Sequence, residues 1–434
     1  MEMNHNDLQQ NSSAEDILEK PASESVPSDS LHRKSRGEFR PGTMAIGILI
    51  GVVGTAAVLL LMTQGRLFAL MTGSGSIMTS QTIQKVDSLT AMIDNVYYEA
   101  DAVTDEQLQE GLYAGLIDAL DDPYSVYYTA EDLTELGESI SGTFSGIGAY
   151  VSLDETTGYP KIAGVIEGSP AEEAGLLSDD LIYEVEGESM QGLDLDVAVS
   201  RIRGEEGTSV TITIYRDGEY LEFDITRAAV ESVTVAGEML DEENGIGYIQ
   251  ISEFDDVTPE QFVPVLTELM GEGMQGLILD LRDNPGGTVT AVTSIAQYLI
   301  PEGLVFYMES PDGTREDYTA TGENEIGIPI AVLVNGNSAS ASEILSSAIQ
   351  DSGAGIVVGT QTYGKGVVQT IYTLTDGTGV KLTTASYYTR NGNDINGVGV
   401  APDIEVELDT EAYLEDGTDS QLDAAIEQIL EELQ

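Results

Sequence analysis

Residues 330–343 read Ile330-Ala331-Val332-Leu333-Val334-Asn335-Gly336-Asn337-Ser338-Ala339-Ser340-Ala341-Ser342-Glu343. The first five are apolar with no polar face, the pattern of a strand buried on both sides of a parallel sheet. A Gly/Asn/Ser/Ala turn follows, and then a helix start. In such sheets the carboxyl ends of the strands face the ligand crevice. A serine at that junction is exposed at the strand end. The helix N-terminus offers backbone N–H groups to a developing oxyanion. An ordinary N-cap serine gives the same pattern, so this stretch alone leaves both readings open.

Two further segments repeat the grammar on either side. Asp280-Leu281-Arg282-Asp283-Asn284-Pro285-Gly286-Gly287-Thr288 is a strand end, a glycine turn and a helix start. Paired glycines let backbone amides approach a substrate closely. A phosphate loop is the alternative, but the Walker pattern and its lysine are missing. Gly359-Thr360-Gln361-Thr362-Tyr363-Gly364-Lys365-Gly366-Val367-Val368-Gln369 sets a lysine between two glycines. Past residue 227 the only lysines are Lys365 and Lys381. Lysine acts as a base only where burial lowers its pKa; otherwise it is a solvated loop charge. Lys381 sits in an alternating strand, Val380–Tyr388, and reads as structural.

Composition narrows the chemistry. The 434 residues allow two to four domains. The formal charge of −59 excludes a phosphate-binding face and hence nucleic acid as a partner. Cysteine is absent, and 47 glycines show no fixed period, so disulfide and collagen scaffolds are excluded. Both histidines, His5 and His32, lie near the N-terminus.

Residues 41–65 carry no charge and contain an apolar run of bilayer length, with Arg33, Lys34, Arg36 and Arg40 before it. The positive-inside rule places residues 1–40, a polar disordered tail, in the cytoplasm and the remainder outside. A cleaved signal peptide would have a shorter apolar region and an A-x-A-like site, which is not found. The expectation is therefore a single-pass signal anchor in the cell membrane with the functional part extracytoplasmic. That part holds no His or Cys. Ser-His-Asp and Cys-His catalysis and the usual zinc sites are thereby excluded, and no metal or cofactor is expected. A serine nucleophile then needs a lysine or a carboxylate as base, and Glu343 is one such carboxylate.

Helical spacing of Val86, Leu89, Ile93 and Tyr97, and of Leu108, Leu112, Leu116 and Leu120, predicts helices over 77–136, within an N-terminal helical region at 77–143. From 144 to 227 short strands alternate with turn signals. From 228 to 408 strands and helices alternate as an α/β core. Residues 409–434 end in an amphipathic acidic helix over 419–433.

The three segments together resemble the carboxyl-terminal processing peptidases, or tail-specific proteases. The match lies in Leu-Arg-x-Asn-Pro-Gly-Gly (281–287), Asn-x-x-Ser-Ala-Ser-Ala-Ser-Glu (335–343) and Tyr-Gly-Lys-Gly-x-Val-Gln (363–369). It continues through Lys-Leu-Thr-Thr-Ala-x-Tyr-Tyr (381–388) and Gly-x-Gly-Val-x-Pro-Asp-Ile (397–404). The resemblance covers roughly residues 80–434. It implies an α/β protease core of crotonase/ClpP-like layout, with Ser340 as nucleophile, Lys365 as base and Gln369 positioning the lysine. The amides of Gly286 and Ala341 would form the oxyanion hole. On a straight strand Lys365 and Gln369 are about 13 Å apart, so contact requires a bend at the glycines or a helical turn.

Residues 144–227 resemble a PDZ domain in Ser145-Gly146-Ile147-Gly148, Gly168-Ser169-Pro170-Ala171, Ala174-Gly175-Leu176 and Arg203-Gly204-Glu205-Glu206-Gly207-Thr208. Asp179 stands where that family usually has glycine, and aspartate tolerates the positive φ required. The resemblance implies a peptide added beside residues 148–152, its carboxylate held by amides near Ser145, Gly146, Ile147 and Gly148. The expected function is an extracytoplasmic serine endopeptidase acting on protein or peptide substrates with free C-termini. The resemblance leaves a homodimer open. The rivals are an inactive PDZ-containing peptide-binding scaffold and a crotonase-like acyl-CoA enzyme, the second disfavoured by the export anchor.

Overall fold

The apolar strands Ile246–Ile251, Gly276–Asp280, Ile330–Val334 and Gly355–Gly359 lie parallel and side by side. Ile404–Glu405 extends one edge in parallel, and Val235–Asp241 closes the other antiparallel. Alternate residues serve opposite faces. Leu277, Leu279, Val332 and Val334 face helices Thr258–Glu272, Val289–Leu299 and Ala341–Ser352, which contribute Phe262, Leu266, Ile295, Ile344 and Leu345. Ile278, Ala331 and Leu333 face the opposite way, onto Ala425 and Ile429 of helix Ser420–Glu432. Each fully buried Ile or Leu contributes about 1.5–3 kcal/mol, so both faces must be covered for the strands to stay in water.

The computed structural model describes residues 77–434. The expected tail at 1–40 and membrane segment at 41–65 lie outside the described residues. No described helix is long and apolar enough to cross a membrane. The chain divides into two units after Ala102. In the first, helix Ser80–Val96 begins on Thr79, whose hydroxyl accepts the Thr82 N–H, and a 3₁₀ turn spans Ala100–Ala102.

In the second unit, helices Asp105–Asp118 and Ala130–Ser141 each start on a threonine capping box, at Thr104 and Thr129. Within 77–136, where helices were expected with the second ending at Asp121-Asp122-Pro123, Val126–Tyr128 is a strand paired with Gly379–Lys381. Asp121 at φ 54° and Pro123 break the helical path. Asp122 then accepts from the Ser125 hydroxyl (2.6 Å), and Ser125 Oγ accepts from Thr383 N–H (3.1 Å), which ties this segment to the sheet.

That second sheet is built on the long strand Gly379–Thr389, which pairs with Val367–Thr373 and with Gly303–Glu309; Arg315–Ala320 lies outside the last. The single closing helix expected at 419–433 is preceded by a second, Thr410–Asp416, which ends on Gly417 at φ 82°.

Between these elements sits a β-rich insertion. Strand Thr143–Gly146 enters it and pairs antiparallel with the exiting strand Ala228–Glu231. Inside, Ala149–Asp154, Tyr159–Val165, Leu181–Val185, Ser209–Arg216 and Glu219–Thr226 form one sheet over a core of Ile162, Ile182, Val210, Ile212 and Ile214. Asp179 adopts φ 71°, as its position demands. Its buried neighbour Asp180 accepts two hydrogen bonds from Arg216, both 2.6 Å.

Candidate active site

The turns at 281–287 and 335–342 are sewn together. Ser338 Oγ donates to Leu281 O (2.7 Å), and Asp283 accepts from the amides of Asn335 (3.0 Å) and Asn337 (2.8 Å). The fully buried Asn284 donates to Ile251 O (2.7 Å), and its carbonyl accepts from Ala339 N–H and the Ser342 hydroxyl, both 3.0 Å. Asp283, Asn284, Asn335, Asn337, Ser338 and Ser342 are therefore spent on holding the turns in register, and Ser340 is not.

Ser340 stands at the head of helix Ala341–Ser352 with φ 53° and ψ −112°. A non-glycine residue held there is strained by about 1–3 kcal/mol, which its surroundings must sustain. Ser340 and Glu343 are placed as a capping box, but no hydrogen bond of the Ser340 hydroxyl is formed among the described residues, so the hydroxyl stays available. Ser340 N–H instead donates to Glu343 Oε2 (2.8 Å). Glu343 is fully buried, and its carboxylate accepts three more bonds: from the Thr362 hydroxyl (2.6 Å), Gly364 N–H (2.7 Å) and Lys365 N–H (2.9 Å). With both oxygens occupied, Glu343 fixes the serine and lysine backbones together and is unsuited to be the base. Tyr387, also buried, ties the same two residues through its hydroxyl, which reaches the carbonyls of Ser340 and Lys365.

Ser340, Lys365 and Gln369 line one cavity of about 410 Å³, shared with Gly287, Ala341 and Lys381. Burial pushes the Lys365 ammonium below the ordinary lysine range; the like charge of Lys381 adds to this and Glu343 opposes it. Lys365 Nζ lies 5.1 Å from the centre of the Tyr124 ring. It makes no hydrogen bond to Ser340 or Gln369 among the described residues. Gln369 donates to Thr383 Oγ1 (3.2 Å). The bend between lysine and glutamine is neither straight strand nor helical turn. Residues 364–366 precede the strand Val367–Thr373, and a bulge falls between Val368 and Gln369.

Two sequence expectations need correction. Lys381 is not merely structural, since it lines the cavity and acts on Lys365. Alternation along its strand shows which residues share a face but not what that face meets. Gly286 N–H is not free: it donates to Asn284 Oδ1 (2.8 Å). The neighbouring Gly287 N–H has no acceptor and lines the cavity, as does Ala341, whose N–H is also unpaired. An Asn side chain bonding two residues ahead is a common local turn, and this was the signal available.

In the insertion, Ser145 donates to Gly204 O (2.7 Å), and Gly148 turns at φ 78° beneath Ser169. The N–H groups of Ile147 and Gly148 have no acceptor. They border a groove of about 380 Å³ between strand residues 149–151 and helix residues Val199 and Ile202. The four residues expected to hold a peptide's end thus run from the end of strand Thr143–Gly146 into a two-residue loop, whose two amides are free among the described residues.

Comparison with known proteins agrees with this geometry. The model of peptidase family S41 matches residues 245–406, a PDZ domain model matches 161–216, and one for the N-terminal domain of the activating protease CtpB matches 50–132. The chain is 36% identical over 351 residues to the carboxy-terminal processing protease CtpA of Bacillus subtilis, covering 79% of this chain and 74% of that one. It is 37% identical over 330 residues to CtpB of the same organism, covering 75% and 68%. A solved photosystem II D1 C-terminal processing protease aligns at 28% identity and a TM-score of 0.45 over 75% of this chain and 92% of that one. With a serine at a strained strand–helix turn, a buried lysine across the cavity and this extent of identity, the chain belongs to peptidase family S41, the carboxy-terminal processing serine proteases.

Proposed function

We propose that the protein is a membrane-anchored, extracytoplasmic endopeptidase that cleaves near the C-termini of its protein substrates by a Ser340–Lys365 mechanism. The observation that carries this reading is the Ser340 hydroxyl, without a hydrogen bond among the described residues, lining one cavity with a burial-depressed lysine and two free amides. Ser340 Oγ attacks the scissile carbonyl and passes its proton to neutral Lys365 Nζ. The amides of Gly287 and Ala341 hold the developing oxyanion. The protonated lysine then gives its proton to the leaving amine, and water, deprotonated by the same lysine, hydrolyses the acyl-enzyme. Gln369 positions the lysine once a substrate draws Nζ away from Tyr124. The inserted domain takes the substrate's terminal carboxylate on the free amides of Ile147 and Gly148, with the tail laid beside strand 149–154.

The test is an acyl adduct trapped with an electrophilic peptide probe and located by mass spectrometry on the full chain. The adduct is expected on Ser340, absent in Ser340→Ala and strongly slowed in Lys365→Ala. An adduct on any other residue overturns the assignment. The anchor at 41–65 belongs to the same proposal. A cysteine-labelling scan on intact cells is expected to label positions past Gly75 from outside.

A further inference from the structure

The groove of the inserted domain and the cavity of the nucleophile meet at three residues that line both, Ser139, Glu253 and Asp255. A polypeptide occupying both must cross two carboxylates. Asp255 is 5% exposed, yet among the described residues its carboxylate accepts no hydrogen bond, and its backbone is engaged with Thr258. Among the described residues no lysine or arginine lies within ion-pair distance of Asp255 or Glu253. Arg203, which lines the insertion's groove, lies over the Phe144 ring and pairs with neither. Lys365 and Lys381 line the cavity but make no ion pair with either carboxylate. Burial, with Glu253 and Asp256 close by, pushes Asp255 up to about 7, and burial also raises Glu253. A buried carboxylate without a partner either takes up a proton or is met by a cation, and a cation brought to this pair keeps it ionised. No group of three or more acidic, His or Cys side chains suited to a metal ion occurs among the described residues, whereas a side chain of a polypeptide lying in the cavity can bring its own cation.

We propose that Glu253 and Asp255 form a subsite for one lysine or arginine side chain of the substrate, where the polypeptide passes from the insertion's groove to the nucleophile. The inference rests on the proteolytic reading above. It makes this pair a determinant of which tails are processed, since a neutral residue there leaves the carboxylates unpaired.

The test uses the full chain and peptides with one apolar tail, in which a lysine or its neutral counterpart norleucine is moved position by position. At one position, or two adjacent ones, lysine is expected to raise kcat/KM about tenfold over norleucine, the scale of one charge-assisted contact. The same preference is expected in peptide binding to Ser340→Ala. The double variant Glu253→Gln/Asp255→Asn should bring both ratios close to one. Glu253→Gln alone, at the more open position, should lower them in part. A ratio near one at every position in the wild type, or a lysine preference surviving in the double variant, overturns the proposal. If no peptide is cleaved but Ser340→Ala keeps a lysine preference that the added double substitution removes, the subsite stands and the proteolytic reading falls.

Discussion

Gly286→Ala separates two reasons for a glycine beside the nucleophile. The substitution keeps the backbone N–H, which is already spent on Asn284, and adds only a methyl group. That methyl would lie 2.7 Å from Ser340 Cβ and from Ala339 O, and 2.9 Å from Ala341 N. Ordinary contact begins at 3.4 Å, so the serine must retreat by about 0.7 Å. It cannot move alone, because Glu343 and Tyr387 hold its N–H and carbonyl. The backbone at φ 104° adds about 1–3 kcal/mol of strain for any residue with a Cβ. Misplacement of a reacting atom by about 1 Å costs on the order of a hundredfold, so kcat should fall by roughly tenfold to a hundredfold. The assay is turnover of a tailed peptide, read beside the acylation rate with the electrophilic probe. Tail binding by the insertion, some distance along the chain, should persist. Near-normal turnover in folded Gly286→Ala would refute the claim that close approach is why glycine stands here.

Four further outcomes follow from the same geometry. The rate should rise with pH through one apparent pKa below that of free lysine, and Lys365→Ala should abolish turnover while tail-peptide binding survives. Lys381→Met should move that rising limb to higher pH, because a like charge that holds Lys365 down is removed; an unmoved limb would show that burial alone sets it. Glu343→Gln turns one acceptor oxygen into a donor facing two N–H groups, so melting should report a loss of about 2–4 kcal/mol together with loss of turnover. Asp255→Asn should stabilise the protein by about 2–4 kcal/mol at pH 8 and by little at pH 4. The folded carboxyl titrates near 7 against an ordinary value near 4, so its penalty accrues as pH rises between the two; equal melting shifts at both pH values would contradict this.

The parallel sheet was legible because its central strands are buried on both faces and almost wholly apolar, Gln250 and the terminal Asp280 aside. Of the second sheet, the alternating strand Val380–Tyr388 was legible and its partners were not. Arg315–Ala320 carries Arg, Glu and Asp at exposed positions, and Val126–Tyr128 is too short to show a period. Val126–Tyr128 is a strand because of a distant partner, Gly379–Lys381, and Arg315–Ala320 because it folds back on Gly303–Glu309, which itself pairs with the distant Ser386–Thr389. The motif residues were recognisable as a set, since nucleophile, lysine and glycine turn each sit at the end of an apolar run. What each does was not, since that depends on side-chain bonds across turns. Glu253 and Asp255 follow directly on the strand Ile246–Ile251. The carboxyl end of a parallel strand was thus the one clue to them, and two acidic residues in so acidic a chain do not stand out.

Glu343 explains how a site with separated reacting groups still counts as preorganised. Its carboxylate accepts from Ser340 N–H and Lys365 N–H, so the two backbones cannot drift relative to one another without breaking charge-assisted bonds in a dry interior. Tyr387 duplicates the constraint from the carbonyl side. What remains free is the lysine side chain beyond its backbone, resting with Nζ against the Tyr124 ring. A side-chain rotation is rapid and costs about 1 kcal/mol, whereas a loop rearrangement is slower and must break buried hydrogen bonds. The barrier to assembling serine and lysine therefore lies in a rotamer. Because that rotamer holds the ammonium over a π face, deprotonation, which ends the cation–π attraction, also releases the lysine to reach the serine. On the proposed mechanism, loss of the proton would thus favour approach to Ser340, helped by the same burial that lowers the lysine pKa.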